Sequence, residues 1–334
     1  MPWPGEFGAH NVRSTMRYLL AIGMWFITPI DSGLSQTSQS GPPEIPSQSQ
    51  QSRYDDAGLY IDEPPDQLMK RVPQLKSLVP SEKQHELREI LEKTGERVDE
   101  FFRHITDLAA REEISLARIK QDFASSLPQA SSMQVSDSYL IISQPGQGHN
   151  DIREYRTDPK GENFDKTAVD KGFMLTSGFA LMCNYFSPAF QPESSFRQLG
   201  EDQVDGRDTY VVGFAQQPEA TLTIRMLSRT GAPMNILVQG IAWIDKSSYQ
   251  IVRLRTDLLA PQWDAGLSQQ TTVVTFKETR LRDIETPLWL PGTVEVFVEF
   301  TTHNGNDKFF DLKYTNEHTY SDYQRYRAES KVIP

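Results

Sequence analysis

Cysteine is almost missing from this chain: Cys183 is the only one in 334 residues. That excludes an intrachain disulfide and any cysteine-built metal site, so stability has to come from buried apolar surface. Inside the run FALMCNYF a lone cysteine reads as a small apolar residue, because a nucleophile needs a histidine beside it and electropositive surroundings. Positive charge is also short, with 34 Lys and Arg against 45 Asp and Glu and a net charge of −11. A nucleic-acid partner is therefore not expected, since phosphates must be neutralised by Lys and Arg. No apolar run reaches the roughly 20 residues that span a bilayer. The patterns HExxH, GxSxG, SxxK and GxxxxGK[ST] are absent, and Gly146-Gln147-Gly148 lacks the third glycine and the following helix of a dinucleotide loop. No catalytic residue, metal site or cofactor is read from the sequence.

What is present is organised around Met234–Pro261 (MNILVQGIAWIDKSSYQIVRLRTDLLAP). Ile236, Val238, Gly240, Ala242 and Ile244 share one face of a first strand. In a second strand Val252, Leu254, Thr256 and Leu258 face one way while Arg253, Arg255 and Asp257 face the other. The turn-forming Asp245-Lys246-Ser247-Ser248 lies between them, so the stretch reads as a β-hairpin. Further strands are expected at Glu112–Lys120, Ser138–Ser143, Ile152–Tyr155, Tyr210–Phe214, Thr221–Met226, Thr271–Glu278 and Thr293–Thr301. In the last of these Val294, Val296, Val298 and Phe300 alternate with Glu295, Phe297 and Glu299, giving one buried and one wet face. Asn304-Gly305 is a strong type I′ hairpin signal, with Lys308–Tyr314 as partner. The tail Tyr320–Val332 reads as a last strand or a sheet edge. Phe173–Phe190 is apolar throughout and fits either a helix or a covering lid.

Upstream, Arg13 and Arg17 precede the apolar run Tyr18–Ile30, which has the layout of a secretory signal peptide, expected over 1–35. No cysteine follows it, which rules out a lipoprotein anchor. Residues 36–80 are expected as a disordered linker, Ser/Gln/Pro-rich at first, with apolar residues from Leu59 onward able to dock on the domain. A single domain is expected over 81–334. It opens on a long amphipathic helix, Ser81–Leu108, with Ser81 and Gln84 as a capping box and Leu87, Ile90, Leu91, Val98, Phe101, Phe102 and Ile105 on its apolar stripe. The fold class is thus α+β: a large curved antiparallel β-sheet, an unclosed barrel, packed on that N-terminal helix.

The wording Gln239-Gly240-Ile241-Ala242-Trp243-Ile244-Asp245, followed by Ile251-Val252-Arg253-Leu254, resembles the lipoprotein-carrier superfamily, the periplasmic lipoprotein localisation factors and their receptor. The resemblance covers Asn235–Leu259 in wording and about Ser81–Val332 in architecture. It implies an unclosed barrel whose concave face is plugged by helices and whose cavity holds acyl chains.

From this follows an expectation of function: an exported, periplasmic or secreted, non-catalytic protein binding an apolar or acylated ligand between helix and sheet. Its partner would be a lipid or an acylated protein, and after leader cleavage it would not be an integral membrane protein. Phe101, Phe102, Ile105, Ile241 and Trp243 are the expected lining. Arg253 and Arg255, on one strand face with Asp257 next along, suit an anion or an acyl-ester carbonyl, or equally a salt-bridge row. The alternative is a cell-envelope structural or protein-interaction module without a ligand cavity; a hydrolase with a dispersed site is a third possibility. Three minor patterns stay open. His303 and His318 could face each other near Asp322 as a metal site, or be surface histidines at strand ends. Tyr320, Tyr323 and Tyr326 with Arg325 and Arg327 suit a sugar or partner surface, or a dressed strand edge. The adjacent carboxylates Glu112-Glu113 and Glu201-Asp202 point to opposite faces of a strand and form no dyad.

Overall fold

The computed structural model describes residues 22–23, 48–105, 107–122, 127–145, 150–158, 168, 170–176, 178–227, 233–282, 284–304 and 307–325. In chain order the strands are β1 (Ile22–Gly23), β2 (Val79–Pro80), β3 (Leu108–Asp122), β4 (Gln129–Pro145), β5 (Asn150–Thr157), β6 (Ser194–Val204), β7 (Arg207–Gln216), β8 (Ile224–Leu227), β9 (Pro233–Ile236), β10 (Val238–Asp245), β11 (Ile251–Leu258), β12 (Leu267–Thr279), β13 (Leu288–Asn304) and β14 (Asp307–Arg325). Three α-helices accompany them: α1 (Gln48–Asp55), α2 (Pro65–Arg71) and α3 (Leu87–His104). Among these residues no helix is long and apolar enough to cross a membrane. Most of the expected leader, the linker residues 36–47, Gly146-Gln147-Gly148, Gly305, Tyr326 and Arg327 lie outside the described residues.

Eleven strands form one antiparallel sheet in the order β2-β6-β7-β10-β11-β12-β13-β14-β3-β4-β5, with β2 and β5 as free ends, so it does not close. A small second sheet joins β8 and β9 to β1, which runs parallel to β8. The closing strand β14 pairs with β3, the first long strand, so the two halves of the chain are zipped along one central seam. The organising hairpin is β10–β11. Its turn is held by the Asp245 carboxylate, which accepts from the backbone and hydroxyl of both Ser247 and Ser248 at 2.6–3.0 Å. β13 and β14 pair as the expected hairpin, with Asn304 opposite Asp307.

The helix needs correction. It does not run from Ser81 to Leu108; α3 starts at Leu87 after a 3-10 turn at Gln84–Glu86, and Leu108 already belongs to β3. The expected capping residues do another job. Ser81 N–H donates to the Leu199 carbonyl, and the Gln84 side chain bonds both backbone groups of Gln198. The stretch from Val79 to Gln84 therefore protects the edge of β6 instead of opening a helix. Within α3 the buried face is Ile90, Thr94, Gly95, Val98 and Phe101. Gly95 is a point of close approach: a Cβ there would lie 2.9 Å from Gln191 Nε2 and 3.2 Å from the Phe186 carbonyl oxygen.

The sheet carries a layer on each face. On one face, termed concave after the curved sheet expected from the sequence, lie α3 and the 3-10 segment Phe179–Phe186, all eight residues of which are buried. On the opposite face, termed convex, lies α2 with the turn that follows it, through Leu68, Val72, Leu75 and Leu78. These last residues fall in the stretch expected as linker. Pro64, Pro65 and Pro73 keep their elements short, and apolar burial holds them down.

Candidate functional site

The concave face is built by alternation. Leu254 on β11, Val274 on β12, and Val294, Val296 and Val298 on β13 all enter one apolar core with Phe101 and Ile105, against which Phe102 is half-buried. Across this floor runs a cover, residues 173–186, which forms no strand of either sheet. Of the stretch Phe173–Phe190, expected as a helix or a covering lid, Phe179–Phe186 is a buried 3-10 helix. Phe173 and Leu175 sit on Ile114 and Leu116 of β3. Tyr185 stacks on Phe214 at 5.3 Å and Phe186 meets the same ring edge-on at 5.5 Å. Polar fastenings among the described residues aim at its backbone. Glu154 accepts from the Gly178 and Ala180 N–H groups at 2.7 and 3.2 Å, and Asn316 donates to the Met174 carbonyl at 2.9 Å. Arg118 donates to the Gly172 carbonyl at 2.9 Å, just ahead of the cover.

Beneath the cover lies a polar island that the sequence did not reveal. Glu112 is fully buried on β3, and Arg156 on β5 grips its carboxylate with two N–H groups at 2.5 and 2.8 Å. The same carboxylate contacts His318 Nδ1 at 2.8 Å and accepts from the Tyr320 hydroxyl at 2.6 Å, both from β14. Burial alone would raise the Glu112 pKa; the Arg156 charge and the His318 bond outweigh it and hold the carboxyl well below its usual range. Burial pushes His318 below the ordinary histidine value, outweighing its bond to Glu112. Burial raises Glu154, against the bonds from the cover. Opposite faces for Glu112 and Glu113 are as expected: the first is buried, the second exposed. Its partners come from strands remote in sequence, which is why spacing gave no sign of them.

The expected lining residues separate. Phe101, Phe102 and Ile105 face the concave core, but Ile241 and Trp243 belong to the convex layer with Leu68, Val72 and Leu75. One residue of alternation decides this, since Ala242 and Ile244 are the concave neighbours on β10. Trp243 is fully buried there and its indole N–H reaches Asp202 at 3.2 Å. Arg253 lies opposite Trp243 and Arg255 opposite Ile241, so both arginines are convex too. Arg255 makes a two-point pair with Asp257 at 2.7 Å and donates to Gln74, while the Tyr60 hydroxyl also meets Asp257. It anchors the segment around α2. Arg253 lies over the Trp243 ring at 5.7 Å.

The histidine pair does not form. His303 pairs with Lys308 near the hairpin while His318 pairs with Val294, and the nine-residue step from Val294 to His303 spans about 30 Å of strand. His318 is not a surface residue either, being 1% exposed in mid-strand. Tyr320 is likewise buried and Tyr323 donates to the Pro291 carbonyl, so neither offers a sugar-binding surface. A register shift between Ser321 and Gln324, with Asp322 at φ 55°, accompanies this inward placement. Among the described residues a hole of about 10 Å³ lined by Phe101, His104 and Trp289, no larger than one water, lies beside α3.

No family model and no curated protein matches the chain. Among solved structures it is similar to a domain described as an outer membrane lipoprotein-sorting protein from Vibrio parahaemolyticus, with 14% identity, 72% of this chain and 94% of that one covered, and a TM-score of 0.30. A DUF1329 family protein from Desulfovibrio piger gives 10% identity, coverage of 73% and 94%, and a TM-score of 0.28. The lipoprotein LppX of Mycobacterium tuberculosis gives 9%, 74% and 99%, and 0.22. At these TM-scores the superpositions say nothing of a ligand.

Proposed function

We propose that this is an exported, non-catalytic protein that binds an apolar or acylated ligand on the concave face of its sheet, in exchange for the cover. The observation that carries this is the cover itself. Residues 173–186 bury Phe173, Leu175, Phe179, Met182, Tyr185 and Phe186 without joining a strand ladder. Such a layer is held by side-chain burial and a handful of polar contacts. A ligand burying comparable apolar area competes with it on equal terms, at about 25 cal/mol per Å². The wall beside it is Phe101, Phe102 and Ile105; export rests on the basic and apolar layout of Arg13–Ile30.

The test is native mass spectrometry of protein purified from an exporting host, with uptake of the neutral fluorophore diphenylhexatriene as a second readout. A co-purifying lipid or saturable uptake supports the proposal; protein that is ligand-free and takes up nothing refutes it. The burial of Ile90, Val98 and Phe101 in the same core as the cover favours a second reading, a cell-envelope interaction module, for which the refuting outcome is the expected one.

A further inference from the structure

Resting on that binding role, we propose that the ligand carries a neutral hydrogen-bond donor, a hydroxyl or N–H, along its apolar body. His318 accepts it at the place now covered by Phe179. The reasoning starts at Glu112. Its carboxylate already accepts from two N–H groups of Arg156 and from the Tyr320 hydroxyl. It is ionised and has no proton to give, so the 2.8 Å contact with His318 requires the histidine proton to sit on Nδ1. Burial disfavours a second proton on the ring. Nε2 is left as a bare acceptor, and it is buried with no protein partner.

It is not alone. Asn316, two residues along the same face of β14, turns its amide N–H₂ to the Met174 carbonyl, which can only accept, and this leaves its Oδ1 buried without a partner. Thr176, in the cover between Met174 and Phe179, has an unpartnered buried hydroxyl as well. Phe179 stands edge-on to the imidazole, 4.9 Å between ring centres. Against an aromatic cover the two β14 acceptors, His318 Nε2 and Asn316 Oδ1, bear the cost of unmade hydrogen bonds, where apolar side chains would pack freely. Against a ligand bearing a donor they give selectivity, because a buried acceptor discriminates against the analogue that lacks the hydrogen.

The experiment compares hexadecan-1-ol with hexadecyl methyl ether, which differ by one O–H, in displacing diphenylhexatriene from the protein. The alcohol is expected to act at about tenfold lower concentration or less, the size of one buried hydrogen bond. His318→Phe is expected to abolish that preference. A measurement on the unaltered protein guards against misfolding of the variant: the ¹⁵N resonances of His318 should show the Nδ1–H form, with Nε2 shifting on addition of the alcohol and not of the ether. Equal displacement by the two probes overturns the inference, as does a preference that survives in H318F or an Nε2 resonance that ignores the alcohol. Failure to bind diphenylhexatriene at all is a different result, which removes the binding role itself.

Discussion

Glu112→Leu removes the carboxylate on which the polar island turns. Arg156, whose side chain is 4% exposed, is then a buried charge without a counter-ion, and the Tyr320 hydroxyl and His318 Nδ1–H lose their acceptor. Breaking a buried pair from one side costs about 3–5 kcal/mol, mainly from the stranded charge. Against a total stability of about 5–15 kcal/mol this is severe. The double variant E112L/R156M takes both charges out and should recover about 2 kcal/mol or more of the loss. Guanidinium unfolding at pH 7, read as a midpoint at constant slope, measures both. The pH dependence supplies a further check. A carboxyl held below its unfolded value of 4.5 contributes stability above that pH and loses it as pH falls through the folded pKa. E112L should lack that acid limb. A single variant within 1 kcal/mol of wild type, or a double variant worse than the single, would refute the reading of the island as a charge-neutral unit.

Trp243→Ala should cost about 3–5 kcal/mol by emptying the convex layer, yet leave ligand uptake per folded molecule unchanged, as titration with diphenylhexatriene will check. Gly240→Ala is expected to destabilise by about 1–3 kcal/mol in the same unfolding assay, because a Cβ there runs into the Arg255 carbonyl oxygen and the Phe214 ring. Phe179→Ala should weaken the cover and raise affinity for diphenylhexatriene. His318, depressed below 6.5, contributes fully above that pH and progressively less as pH falls towards its folded pKa. His318→Phe should therefore flatten the stability profile just below pH 6.5. Glu154, raised above 4.5, acts with the opposite sign as pH falls through its own folded value, so Glu154→Gln isolates the histidine limb.

The hairpin β10–β11 and the alternation of β13 were legible because each has one apolar face and a strong turn signal. β6 was not. Its apolar residues are only Phe196, Leu199 and Val204, and a register shift between Gln198 and Gly200 breaks their period. The serine-rich first half of β4 escaped for a similar reason, with Met133 and Val135 alone to mark it. The helix was found but its start was misplaced, because Ser81 and Gln84 satisfy the edge of β6 and not their own first turn. At the site, Ile241 and Trp243 were assigned to a cavity wall by apolarity alone. Which face they take depends on a convex layer contributed by α2, which the proline-rich stretch concealed. Glu112, Arg156 and His318 are separated by dozens to hundreds of residues, and only the β14–β3–β4–β5 register brings them together.

Exchange of cover for ligand has a built-in reporter. Cys183 is the sole cysteine, lies within the cover at 6% exposure, and has its thiol pushed up to about 12 by burial. The decisive measurement is the rate at which a disulfide reagent labels Cys183 as the protein is saturated with diphenylhexatriene or a bound lipid. If ligand takes the place of residues 173–186, labelling is slow in the free protein and accelerates several-fold on saturation. Binding that leaves the rate unchanged, or slows it, contradicts the exchange.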